Sequence, residues 1–531
     1  MSKRVFNKTN LLKKIILGII FLLLIIFAWQ TLQSHIFNVH FVDEDENIMA
    51  GYYLAQGQKL YGDIFSHKQP MPAVYSSLVN KVFKPDSLFL LIKKHREAVF
   101  FYSALWWLVF LYFLGEVGLA FSLVIEIVKR FFLGDLFLGE SLVIYPLVFV
   151  IAYLWKKEFT KVNTSGWERN LFIFSLILIC FQLITLIPFS AIVIFYLLVK
   201  ERFQKKTILS LTLIFALLFL VFAPFVDYQD YFLNTKAALA SHYLEDTLDQ
   251  GLPRLFSYSF FKPVVALIAP VKGDFGFFIK VLSFFYFLSL FYLLVKEKKR
   301  LFLIFTFFLL GTTSLRLVDP QAVLYEGFHG FPWLAAIVML TLVQIKRGVL
   351  LNWEPVKKRM LVFFSLALML LIFTLTGQFF FREYFRQPDP FRDFQVHFSY
   401  LQGVGGTIKA LSSPDDRLMV IPVEQLLYFE SGLKPQNRFL YTYEWIFWNE
   451  ELKKEIKANL EKNPPAFVYY DYTSVGEDAK AVFDPIFKSF VQLRHGSDPS
   501  PLLISEDELV DLDPEQIERI KNFGFFFPEK E

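Results

Sequence analysis

Four carboxylates stand side by side in "FVDEDENIMAGYYLAQGQKLYGDIFSHKQP": Asp43, Glu44, Asp45 and Glu46. Adjacent acids repel, and repulsion can raise one pKa far enough to make a usable general base. The same residues could hold a metal, or could open a helix. Asp43 and Glu46 have the spacing of a capping box, and acids at a helix start suit the macrodipole. Downstream, Ile48, Tyr52 and Ala55 fall on one helical face, so 43–57 reads as an amphipathic helix lying on a membrane surface. Gly57 and Pro70 then frame a short loop carrying Tyr61, Asp63, His67 and Lys68. His67 and Lys68 can donate to a phosphate; the plainer reading of Lys68 is a loop lysine near anionic head groups.

The elements that must position these residues belong to a membrane. The chain holds 66 Phe in 531 residues and has a mean hydropathy of +0.44. A water-soluble domain cannot bury that many rings, so lipid is the expected solvent for most of them. The net charge of +4 gives no sign of nucleic acid. Cys180, the one cysteine, lies in an apolar run and allows no intrachain disulfide. The first apolar run follows a basic start and lacks an A-x-A-like cleavage site, so it reads as a retained first span rather than a signal peptide.

A span takes about 20 apolar residues. The candidates are 13–31, 97–115, 117–133, 141–155, 170–186, 187–199, 207–224, 277–295, 300–316, 328–345 and 360–380. With eleven spans, the basic clusters at the N-terminus, Lys156-Lys157, 200–206, 296–300, Lys346-Arg347 and 357–359 all fall on the cytoplasmic side. Lys93, Lys94, His95 and Arg96 break that rule. The expected fold is an all-α polytopic membrane protein of about 11 transmembrane helices, with a small exterior α/β domain. The membrane domain covers 1–381, with the acidic motif on an exterior loop, 32–96; the exterior domain covers 382–531. In the latter, "DDRLMVIP" and "AFVYYDY" read as strands and "NEELKKEIKANLEKN" as a helix. The N-terminus is expected in the cytoplasm of a cell whose plasma membrane the chain crosses many times.

The order "DE", a Gly 14 residues past the first acid, "LYGD", then "HKQP" resembles the first exterior loop of the GT-C superfamily of membrane glycosyltransferases. The nearest branch holds the protein O-mannosyltransferases and bacterial aminoarabinose transferases. "LGTTSLRLVDPQAVLYEGFHGFPW" and "PDDRLMVIPVEQLLYFESGLKPQNRFLYTYEW" are similar to later regions of that family. The resemblance implies a multi-span fold, a polyprenyl-phosphate sugar as donor, inversion at the anomeric carbon and an acidic pair near the catalytic centre. Counting back from Gly57 maps the pair to Asp43 and Glu44; Asp45-Glu46 also spells "DE", which leaves a second register open. Asp43, Glu44 and Asp45 are therefore the candidate catalytic residues, with Asp43 as base. His67, Lys68, Arg96, Arg316 and His329 are the candidates for binding the donor phosphate; Arg316 and His329 could equally be snorkelling and interfacial residues. No cofactor is certain, and a divalent metal beside the acids is left open. The expected partners are the lipid-linked donor, membrane lipid and an acceptor of unspecified class (protein, lipid or glycan). Other chemistry is thin: His242 and Glu245 sit three apart, which more often marks a surface pair than a metal site. The rival reading is a transporter or flippase of lipid-linked sugar, which would place ionisable groups at the membrane midplane.

Overall fold

The computed structural model describes residues 2–159, 165–238, 330–350, 389–510 and 512–528. Along the chain run α1 (Ser2–His35), α2 (Val42–Ala55), α3 (Pro70–Phe83), α4 (Leu88–Leu114), α5 (Glu116–Val128), α6 (Gly139–Phe159), α7 (Gly166–Gln182), α8 (Ile187–Lys200), α9 (Lys205–Phe222), α10 (Tyr228–Ala238) and α11 (Phe331–Leu350). After these come α12 (Pro390–Leu411), β1 (Arg417–Ile421), α13 (Leu426–Ser431), β2 (Lys434–Pro435), α14 (Glu450–Lys462), β3 (Phe467–Tyr470), β4 (Phe490–His495), β5 (Asp498–Ser505), α15 (Pro514–Lys521) and β6 (Phe525–Phe526). Two compact units divide the molecule, and each is stitched from three stretches of chain. One takes Met1–Ile36, Arg96–Val221 and Pro253–Asp389; the other takes Phe37–His95, Phe222–Leu252 and Pro390–Glu531.

The first unit is a helical bundle. α6 packs on α7 and α11, and α5 packs on α1 and α11. A helix stands at each of the eight expected spans that fall on described residues. Among the described residues, four helices are long and apolar enough to cross a membrane: Leu11–His35, Leu88–Leu114, Gly139–Glu158 and Lys205–Phe222. The expected count of about 11 is therefore reached only in part, and 277–295, 300–316 and 360–380 lie outside the described residues. Physical reasons are visible for the shorter helices. α5 has 13 residues and leads into a buried ionic cluster, in which Lys129 Nζ sits 2.8 Å from Glu126 and 2.7 Å from Asp135. α7 and α8 are separated by an extended residue, Leu183, and by Pro188 at the head of α8. α6 is buried along nearly its whole span, whereas α1 and α9 expose rows of Leu, Ile and Phe. Those rows are the surface that lipid would cover.

The second unit combines α2 and α3 with a mixed sheet of order β2-β1-β3-β5-β4-β6. β1 runs parallel to β2 and β3, and the other pairings are antiparallel. Leu418 to Ile421 and Phe467 to Tyr470 are all buried, as expected of a parallel pair covered on both faces. Both strands and the helix expected in this region are present. In α14 the side chain of Asn449 caps two backbone N–H groups, and Leu452, Ile456 and Leu460 form the buried stripe. Phe37, Phe89, Phe394 and Phe398 close an aromatic cluster with centroids 4.5 to 6.4 Å apart.

Two expectations for α2 are corrected. It is not a surface amphipathic helix: residues 44–51, Tyr53 and Leu54 are buried, and it packs along α3. Nor does Asp43 close a capping box. The helix begins two residues earlier, with Phe41 at the cap and no side-chain cap bond, so Asp43, Glu44 and Asp45 occupy the first turn. The macrodipole argument survives that shift. Gly57 follows the end of α2 with φ 97°, the left-handed region that glycine enters without strain.

The α2–α3 approach fixes a testable point. A Cβ on Gly51 would lie 2.1 Å from Ser76 Oγ and 2.7 Å from the Ser77 backbone nitrogen. Ser76 cannot swing away freely, because its hydroxyl lies 2.8 Å from His95 Nε2 and 3.1 Å from the Ile48 carbonyl. Gly51→Ala is expected to destabilise the chain by about 1–3 kcal/mol, the usual cost of overpacking. Thermal unfolding in detergent micelles would read it; an unchanged midpoint would show that the two helices separate without cost.

Candidate functional site

The site grows from the N-terminus of α2 and the loop ahead of α3. At 3.6 residues per turn, Asp43 and Glu46 lie only about 60° apart around the helix. Lys68 meets both. Its Nζ is 2.7 Å from Asp43 Oδ1 and 2.7 Å from Glu46 Oε2. Asn47 donates its side-chain amide to the Asp43 carbonyl, 3.1 Å away.

Lys68 is held from behind. The Tyr61 hydroxyl donates to the Lys68 carbonyl at 2.7 Å, and the Lys68 N–H donates to Ser66 Oγ at 3.2 Å. Gln69 donates to the Tyr231 hydroxyl, and Tyr231 also lies edge-on to Tyr61. The loop is pinned further out by backbone bonds from Leu60 to Phe225 and from Phe65 to Arg438, 2.8 Å each. Asp63 belongs to the turn, accepting from the Lys59 N–H at 2.8 Å. The "LYGD" and "HKQP" words thus build the hairpin that presents Lys68.

Segment 438–445 forms the other wall. His67 Nδ1 lies 3.0 Å from the Tyr441 hydroxyl and 4.0 Å from Glu46 Oε1, and its ring packs on Trp445. Arg438 forks onto Glu455 at 2.7 and 2.8 Å and donates to the Tyr61 carbonyl and to Asn234.

Burial pushes the Glu46 carboxyl above its ordinary pKa, and Lys68 only partly opposes that. For Lys68, burial works against the ammonium, yet Asp43 and Glu46 outweigh it and hold the pKa above the ordinary lysine value. Tyr441 and Tyr443 are pushed well up, first by burial and then by the carboxylates beside them. Both stay protonated donors at neutral pH.

Asp45 faces a different direction. His40 Nε2 lies 2.6 Å from Asp45 Oδ2 and 3.5 Å from Glu424 Oε2. These three donor atoms all lie within 4.8 Å of one another. Glu424 follows β1 and has φ 94°, a strained value for a residue with a side chain. Burial first, with Asp45 and Asp471 adding to it against His40, pushes its carboxyl up to about 7.

Of the expected catalytic residues, then, Asp43 has a side chain 29% exposed, while that of Asp45 is 1% exposed and Glu44 is wholly buried. Asp43, His67 and Lys68 come together. Arg96 belongs to the other compact unit, buried, donating to the Ile36 carbonyl at 2.5 Å. His95, beside it, is likewise buried, so half of the basic cluster that broke the charge rule is internal structure. Arg316 and His329 lie outside the described residues, as do His242 and Glu245. Sequence reasoning gave Glu46 a capping role and a place in the alternative "DE" register, and did not name His40, Glu424, Tyr441 or Tyr443. Glu424 stands just past the carboxyl end of a strand in a parallel pair, where α/β sheets place ligands, a pairing that the fold alone reveals.

No protein-family model matches this chain, and no curated protein matches it.

The Lys68 bridge can be measured. Lys68→Met leaves two carboxylates facing each other, and should cost about 2–3 kcal/mol, below the 3–5 of a fully buried pair because Lys68 and Asp43 keep some water. Adding Glu46→Gln should recover part of that loss. Strict additivity of the two substitutions in unfolding experiments would show that Lys68 and Glu46 do not interact.

Proposed function

We propose that the chain is an integral-membrane glycosyltransferase that moves a sugar from a polyprenyl-phosphate donor to an acceptor at the exterior face of the membrane. The observation that carries this reading is the placement of one cation, Lys68, against one partly exposed carboxylate, Asp43, in the stretch of chain between two helices able to cross a membrane. Transfer needs a base for the acceptor and a counter-charge for the departing phosphate, side by side. The acceptor hydroxyl gives its proton to Asp43 as its oxygen attacks the anomeric carbon. The carbon–oxygen bond to phosphate breaks with its electron pair on the phosphate. Lys68 meets that anion, with His67 beside it.

Glu46 explains how one lysine serves two tasks. An arriving phosphate competes with Asp43 for the ammonium, and Glu46, 3% exposed, keeps Lys68 anchored as it turns. Asp43 is then released as a free base. Tyr441 and Tyr443, which resist ionisation, can donate to sugar or phosphate oxygens. Supporting the reading further are the resemblance of 40–75 to the GT-C first loop and the exterior placement that the charge pattern gives it. Inversion, the sugar lipid and the position of Arg316 and His329 around the donor belong to the same proposal.

The rival, a carrier of lipid-linked sugar, has one observation in its favour: the buried Glu126–Lys129–Asp135 cluster at the end of α5. Asp135 also takes Arg130, so these charges are paired locally and leave little to bind a passing head group.

Purified chain with a radiolabelled polyprenyl-phosphate sugar decides between the two. Asp43→Asn should lower transfer by roughly 10²–10⁴-fold, the usual worth of a positioned base. Lys68→Met should fall comparably. Full turnover in both variants would sink the assignment, and movement of donor without transfer would favour the carrier.

A further inference from the structure

The second carboxylate direction of α2 has no task in the transfer just described. Three chain segments meet there: the approach to α2 (His40), its first turn (Asp45) and the turn after β1 (Glu424). We infer that His40, Asp45 and Glu424 form a binding site for a divalent transition cation, with Zn²⁺ the best fit. The site stands whether or not the chain transfers sugar.

One imidazole nitrogen and two carboxylate oxygens are a donor set that Zn²⁺ accepts readily, at bond lengths near 2.0–2.2 Å. Tetrahedral bonds of that length put neighbouring ligand atoms about 3.3–3.5 Å apart. The His40–Glu424 separation of 3.5 Å already meets that spacing, and His40–Asp45 needs to open from 2.6 Å by under an ångström. All three donor atoms lie within 4.8 Å of one another, a separation that side-chain movement can close. Water or a substrate oxygen would complete the fourth position.

The surroundings of Glu424 suit a cation. The charged groups that act on it are His40, Asp45 and Asp471, two of them acids. Its Oε2 atom is buried and accepts no hydrogen bond among the described residues. Asp471 is occupied in its own turn, accepting from Thr473 and Ser474. A neutral His40 offers Asp45 and Glu424 one N–H between them at best, and the longer of its two contacts goes to Glu424. A divalent ion satisfies both carboxylates together. It would also tie the turn after β1 to the first turn of α2, two residues from Asp43.

The test uses the full chain in detergent micelles, stripped with a chelator and dialysed against Zn²⁺, with bound metal counted by mass spectrometry. One Zn²⁺ per chain is expected, with affinity reduced at least about tenfold in His40→Ala and Glu424→Gln. Zn²⁺ should raise the unfolding temperature of the unsubstituted chain and not that of Glu424→Gln. Asp45→Asn gives the same comparison if either of the others fails to fold. Retention of Zn²⁺ by all three variants at full affinity would overturn the proposal. So would a chain that keeps no Zn²⁺ yet loses stability on Glu424→Gln, since His40 as an imidazolium would then be the bridge.

Discussion

One ammonium between two carboxylates organises the candidate site. Lys68 sits 2.7 Å from both Asp43 and Glu46 in a setting that penalises an isolated charge. Burying a lysine there is tolerable only because two anions share it, and burying Glu46 at 3% exposure is tolerable only because Lys68 is present. That mutual dependence sets the distance between α2 and the hairpin ahead of α3. It also dictates the framing around Lys68: Tyr61 on its carbonyl, Ser66 on its N–H, Gln69 on Tyr231. Each bond removes a direction in which the lysine could leave.

Helix geometry divides the acidic run in a way its spelling does not suggest. As text, "DEDE" is two identical pairs. On a helix of 3.6 residues per turn, the first and fourth acids share a face, and the third turns about 160° from the first. Asp43 and Glu46 thus go to Lys68, Asp45 goes to His40 and Glu424, and Glu44 is buried. The choice between the first and the second "DE" was framed in the wrong units. The helix start carries three acids in its first turn without a side-chain cap, and each gains from the macrodipole at the N-terminus. Mutual repulsion is relieved because Asp45 turns away to His40 while Asp43 and Glu46 share the Lys68 ammonium.

What the sequence made legible was local. Phe content and hydropathy gave helices apolar enough to cross a membrane, and short apolar or aromatic runs bounded by turn residues gave β1 and β3. "HKQP" marked Lys68, since a lysine before a helix-opening proline is fixed in place by the chain itself. The cap of α2 lies two residues ahead of the expected one, which is enough to turn a supposed cap into a first-turn carboxylate that meets Lys68. The burial of α2 was missed because its apolar face reads the same against lipid and against protein. Tyr441, Tyr443 and Glu424 were out of reach because they lie more than 370 residues from the acids, and only the tertiary fold relates them. Their words, "YTYEW" and "PVEQ", carry no periodic signal.

That distance has a structural meaning. Within one compact unit, residues 438–445 supply Tyr441, Tyr443 and Trp445, while 424 supplies a carboxylate. Arg438 joins the Tyr61 carbonyl, Asn234 and Glu455, and its own carbonyl takes the Phe65 N–H. A single arginine therefore knits the hairpin, α10 and α14. The mixed sheet is the frame that holds these groups: β1 and β3 run parallel, and Glu424 and Asp471 follow their carboxyl ends. The C-terminal segment is then a wall of the site rather than an appendage beside it. The Tyr441 hydroxyl lies 3.0 Å from His67 Nδ1, which lies 4.0 Å from Glu46 Oε1, so that wall helps set the surroundings of Glu46 and of the Lys68 it holds. The partly exposed Asp43 and the C-terminal wall thus meet the same pair, Lys68 and Glu46, from two sides.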